Sequence, residues 1–168
     1  MSTNLDLTMI LQIFVVLPIT GLFFLYLIIK ILRKNHSRLN ISLSLLYILT
    51  GLGILLNLIY SLIRNDIIVV VLNFITNFST CFGLIFLFST NQIMLKSEII
   101  FTKTKQALIV TFYGILLFLM IIFYPFGGGV TINESTDWKP VWNFPIFIYL
   151  TLVITICAVI PIIITSIR

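Results

Sequence analysis

Four neutral polar residues, Asn73, Asn77, Thr80 and Asn91, recur at helical spacing inside an apolar run and so share one face of a helix. On the run before it, Ser42, Thr50, Gly53, Asn57 and Ser61 form a similar stripe. Carboxamides and hydroxyls donate and accept hydrogen bonds without carrying charge. Their chemistry is therefore recognition, of a facing helix or of a small molecule held between helices. The two runs are separated by a very short polar segment, so their stripes meet, and Asn57 and Tyr60 are placed to hydrogen-bond with Asn73 or Asn77. Asn57, Tyr60, Asn73, Asn77 and Thr80 are the candidate ligand-binding set. Interhelical packing is the competing use of the same groups.

The residues that reactions usually need are missing from these runs. Proton relays, ion-coupled transporters and voltage sensors place Asp, Glu, Lys, Arg or His in the membrane despite a cost of about 2.5 to 3.5 kcal/mol on insertion scales. None is central here, and Lys30 sits at a span end, unlike the embedded lysine of a retinal protein. No His, Asp or Glu stands within a span to activate Ser79, Cys81 or Cys157 as a nucleophile. The two cysteines lack the paired spacing of a metal or redox site, and the only histidine, His36, falls in a linker. The reading is of a protein that is not an enzyme, with no catalytic residue, no cofactor and no metal.

The elements that position the polar stripes follow from composition. The 168 residues are 60% hydrophobic and 9% charged, with a mean hydropathy of +1.21, which takes the chain out of the range of ordinary soluble domains. Five continuous apolar runs, about 9–32, 39–63, 67–95, 107–126 and 145–167, each span about 30 Å of hydrocarbon as a helix. They lack the alternation of a membrane strand. The fold class is all-α: a polytopic membrane helix bundle of five transmembrane helices in a single domain, multi-pass in the cell membrane.

Orientation follows from the cations. Lys30, Arg33, Lys34, Arg38, Lys96, Lys103, Lys105 and Arg168 collect on one side, and only Arg64 and Lys139 lie on the other, with Asp6, Asp66, Glu134 and Asp137. The N-terminus is read as external, the C-terminus as cytoplasmic, and the first span as a retained reverse signal anchor. The net charge of +5 is assigned to topology and anionic headgroups, so the partner is the lipid bilayer and no nucleic acid is expected. The linker from Lys96 to Lys105 mixes cationic and aliphatic residues and is expected against the inner leaflet.

In the external segment, Gly127, Gly128 and Gly129 are read as the end of the fourth helix. Asn133-Glu134-Ser135 matches a glycosylation sequon, making Asn133 the glycosylation candidate. Trp138 and Trp142 are the expected interface anchors, with Asn143 as helix N-cap and Pro145 in the first turn. Pro18 and Pro161 are expected to free backbone carbonyls within their helices.

With its Arg33-Lys34-Asn35-His36-Ser37-Arg38 linker and its Asp137-Trp138-Lys139-Pro140-Val141-Trp142 entry to the fifth span, the chain resembles uncharacterised archaeal multi-pass proteins. Their layout is similar to that of the seven-helix N-terminal sensor regions of some histidine kinases. The resemblance implies a sensor-like module, and five spans are what remains of a seven-helix chain that loses its last two. The functional expectation is a non-catalytic sensor-like or accessory module that binds a small apolar or amphipathic ligand, a partner membrane protein or a second copy of itself. The alternative is a small transporter or the membrane subunit of a transporter complex, with a wet path along Asn57, Asn73 and Asn77.

Overall fold

The computed structural model describes residues 11–124, 129–136 and 139–167. Five helices are long and apolar enough to cross a membrane, which marks the chain as a multi-pass membrane protein. They are α1 (Gln12–Lys34), α2 (Arg38–Tyr60), α3 (Asp66–Ile100), α4 (Lys103–Phe123) and α5 (Phe144–Ser166). Inside hydrocarbon a helix satisfies every backbone N–H and C=O within its own segment, so continuous apolar runs have no other stable form except a closed barrel.

The short linkers end on residues that start the next helix. The Ser37 hydroxyl accepts from the Asn40 amide at 3.4 Å, the Asn65 side chain from that of Ile68 at 3.2 Å, and the Thr102 hydroxyl from that of Lys105 at 3.4 Å. Each bond satisfies one of the donors that a helix N-terminus leaves open. The helix boundaries differ from those expected from hydropathy. Arg33 and Lys34 belong to α1, so the first linker shrinks to residues 35–37, while α2 ends at Tyr60 and α4 already begins at Lys103.

The prolines act through the helix pitch. Pro18 follows a π-helical turn at Gln12–Val16, and Pro161 follows one at Thr155–Val159. A proline has no N–H and its ring crowds the carbonyl four residues back. A wider turn just before it takes up the mismatch and keeps the helix continuous.

α2 and α3 pack antiparallel along most of their length, with Tyr60 facing Asn73, Gly53 facing Thr80 and Ser42 facing Phe86. The core lies between α3, α4 and α5, where Cys81, Ile85, Phe86, Phe88, Tyr113, Leu117, Met120, Ile146 and Leu150 are buried together. α1 lies at the edge against α2, and most of its large side chains, such as Phe14, Ile19, Leu22 and Phe23, face outward as a bilayer requires.

Two segments depart from the sequence reading. The 96–105 segment is not a surface-lying linker throughout: α3 runs on to Ile100 across a break at Ser97 (φ 60°), and Phe101 turns back to be buried. Between α4 and α5 a small antiparallel hairpin forms, β1 (Val130–Thr131) with β2 (Val141–Trp142), pairing Val130 with Trp142. The Gly129 amide donates to the Phe123 carbonyl at 2.8 Å, and a Cβ on Gly129 would lie 2.5 Å from that oxygen, so only glycine fits. Trp142 is exposed at the end of the hairpin, whereas Trp138, Gly127 and Gly128 fall outside the described residues. Asn143 does precede α5, but its side chain makes no cap; it bonds with the Thr131 hydroxyl at 3.3 Å instead.

Candidate polar site between the helices

The apolar packing of α2, α3 and α4 brings three helix ends to one level of the bundle. Tyr60 closes α2, Asn73 and Asn77 lie two and three turns into α3, and Tyr124 directly follows α4. Asn73 is the centre. Its Oδ1 accepts from the Tyr124 hydroxyl at 2.9 Å and from Asn77 Nδ2 at 2.9 Å, while its Nδ2 donates to the Tyr60 hydroxyl at 3.3 Å. Asn77 Nδ2 donates in addition to the Tyr124 hydroxyl at 3.0 Å, which closes a triangle of side chains. Asn73, Tyr60 and Tyr124 are buried, and the Phe74 ring stands edge-on to Tyr124 at 5.3 Å.

Both lone pairs of Asn73 Oδ1 and both N–H groups of Asn77 are engaged, so a ligand that takes these groups must displace protein hydrogen bonds. The arrangement can clamp three helices; it holds no general base or nucleophile pair. Such contacts average about 0.6 kcal/mol each in membranes and reach about 1.7, so the network contributes a few kcal/mol and, above all, a fixed register.

Of the five residues singled out from the sequence, Tyr60, Asn73 and Asn77 therefore meet. Thr80 lies about a turn further along α3, where its hydroxyl packs against Gly53; a Cβ at Gly53 would collide with it. The Asn57 side chain is half-buried and makes no hydrogen bond to the network among the described residues. Asn91 shares their helix face but not their site. It sits about 21 Å further along at 1.5 Å per residue and donates to the Thr165 hydroxyl of α5 at 2.9 Å. Asn133 is exposed, and its side chain accepts from the Ser135 hydroxyl of its own sequon at 2.6 Å.

Sequence reasoning missed Tyr124, which fell within the fourth apolar run and was given no role. Its signal was a hydroxyl-tipped aromatic at the outer end of its helix, on the same side of the bundle as Asn73. Also unforeseen is an apolar groove between α1 and α2. Gly21, Phe24, Leu25 and Ile28 line one wall, and Ile48, Gly51, Leu52 and Leu55 the other, around about 280 Å³. Gly51 and Gly53, two residues apart, face opposite neighbours: Gly51 meets Phe24 of α1 and Gly53 meets Thr80 of α3. Among the described residues no group of three His, Cys, Asp or Glu side chains is placed to hold a metal ion. Comparison with protein-family models, with curated proteins and with solved structures finds no match to this chain.

Proposed function

We propose that the chain is a non-catalytic membrane module, sensor-like or accessory, that takes the apolar tail of an amphipathic molecule into the groove between α1 and α2. One observation carries this reading: eight apolar residues, two of them glycines, line a groove of about 280 Å³ between α1 and α2. That volume lies just under the range of about 300 to 1,000 Å³ for pockets that take compact drug-sized molecules, which suits a slender tail. Nothing lies within 4 Å of a Cβ built on Gly21, so the space runs up to the helix backbone. The polar network of α2, α3 and α4 serves in this reading as the rigid frame. Its internal engagement favours binding over a wet transport path along Asn57, Asn73 and Asn77. The N-terminus is placed outside and the C-terminus in the cytoplasm, on the support of eight cations at one end against two at the other.

The test is photo-crosslinking in liposomes with a diazirine-bearing fatty acid, mapped by peptide sequencing. Labelling concentrates on residues 21–28 and 48–55 and drops several-fold in Gly21→Leu, which fills the groove. Labelling spread evenly over every lipid-facing helix rejects the proposal.

A further inference from the structure

At the opposite end of the bundle from Asn73, one cation is built into the protein. Arg38 opens α2 and is part-buried; its Nε donates to Gln106 Oε1 at the start of α4 at 2.8 Å, and its guanidinium lies 5.4 Å from the centre of the Phe101 ring. Two contacts on different elements thus fix the plane of the group. Its Nη2 is buried and has no hydrogen-bond partner among the described residues.

A second buried donor without a partner among the described residues lies on α3. Gln92 is 3% exposed and its Nε2 is likewise buried without a partner. It follows Phe88 by one turn on the α3 face that runs through Cys81 and Ile85 and meets α4, where Tyr113 donates to the Cys81 carbonyl at 3.0 Å. Phe88 in turn packs edge-on against Phe101 at 6.4 Å, the ring that carries Arg38. The register agrees: Ser42 bonds the Phe86 carbonyl, and one turn further along both helices brings Arg38 to the level of Thr90. Arg38 and Phe88 thus meet on the Phe101 ring, and Gln92 lies one turn of α3 from Phe88.

Buried donors without acceptors select for an acceptor. A planar guanidinium held at the bilayer boundary matches the paired oxygens of a phosphate group. We infer that the Arg38–Gln92 cluster binds the phosphate of an anionic phospholipid. The bilayer supplies that group at this depth, and the surrounding charge selects the anionic headgroup. By sequence, eight cations gather at this end with Glu98 as the sole carboxylate, which disfavours a headgroup that carries its own positive charge. The inference does not depend on the groove between α1 and α2.

Native mass spectrometry of the full chain tests it, with phosphatidylglycerol and phosphatidylcholine offered in equal amounts. Phosphatidylglycerol is retained several-fold over phosphatidylcholine. Arg38→Gln and Gln92→Leu each remove most of that preference, Arg38→Lys leaves an intermediate one, and Lys34→Gln, on an exposed cation of the same end, leaves it intact. Gln92→Leu keeps the test decisive if Arg38→Gln folds poorly. Equal losses in Arg38→Gln and Lys34→Gln, or no loss in Arg38→Gln and Gln92→Leu, overturn the inference. Release of the bound lipid by excess inorganic phosphate also overturns it, because the site then belongs to the soluble anion.

Discussion

The Tyr124 hydroxyl donates to Asn73 Oδ1 at 2.9 Å, joining residues 51 positions apart across the boundary between α4 and α3. The bond matters because the same oxygen also receives Asn77, and Asn73 reaches on to Tyr60, so one carboxamide ties together the ends of three helices. An apolar interface in lipid gains little from excluding water, and register must come from packing and from such directed contacts.

Substitution of Asn73 by Leu is expected to cost about 1 to 2 kcal/mol of unfolding free energy, and Tyr124→Phe about 0.6. The double variant should lose less than the sum, because both changes break the same bond. A double-mutant cycle in mixed-micelle denaturation measures the coupling. Strict additivity removes Asn73 from its place as the shared acceptor.

Gly53 and Gly21 should respond oppositely to a methyl group. Gly53→Ala drives a Cβ into the Thr80 hydroxyl and close to the Thr76 carbonyl, for an expected loss of about 1 to 3 kcal/mol. Gly21→Ala meets open space and should stay within about 0.5 kcal/mol. Adding Thr80→Ala to the Gly53→Ala chain should recover part of the loss, which thermal unfolding in detergent can read.

Asn91 ties the last turn of α5 to α3 through Thr165 at 2.9 Å and Ser166 at 3.4 Å. Asn91→Ala should speed amide exchange over residues 162–166 and leave the Asn73 region unchanged, as local opening predicts. Uniformly faster exchange through α3 would instead make Asn91 part of the global core.

The assigned orientation has a direct chemical test. In a chain whose Cys81 and Cys157 are replaced by Ala, a membrane-impermeant thiol reagent should label Ser135→Cys in intact cells. Lys103→Cys should react only after permeabilisation. The opposite pattern inverts the bundle. Under the assigned orientation Asn133, exposed in the same loop, should accept a glycan when the chain is made in a glycosylating membrane, and Asn133→Gln should abolish it.

Much of the polar site was legible in the residues themselves. Helical spacing put Asn73 and Asn77 on one face, and the short turn after Tyr60 required α2 to be their neighbour. Asn57 shows the limit of that reasoning. It lies on the right stripe, yet a stripe one residue wide does not say which of its members point at a partner closely enough to bond. Asn91 shows the same limit along the axis, since residues that share an angle are still separated by the rise between them.

Five spans were determined by the sequence alone, because the cost of unpaired backbone groups in hydrocarbon leaves a long apolar run one conformation. Ser37, Asn65 and Thr102 determined where α2, α3 and α4 begin, through bonds that reach only three positions along the chain. The tertiary structure alone decided what meets across distant segments: Tyr124 with Asn73, Asn91 with Thr165, Arg38 with Gln106, and the groove left between Gly21 and Gly51. Those outcomes depend on how whole helix surfaces interlock, and the fit of two surfaces is a property of both together.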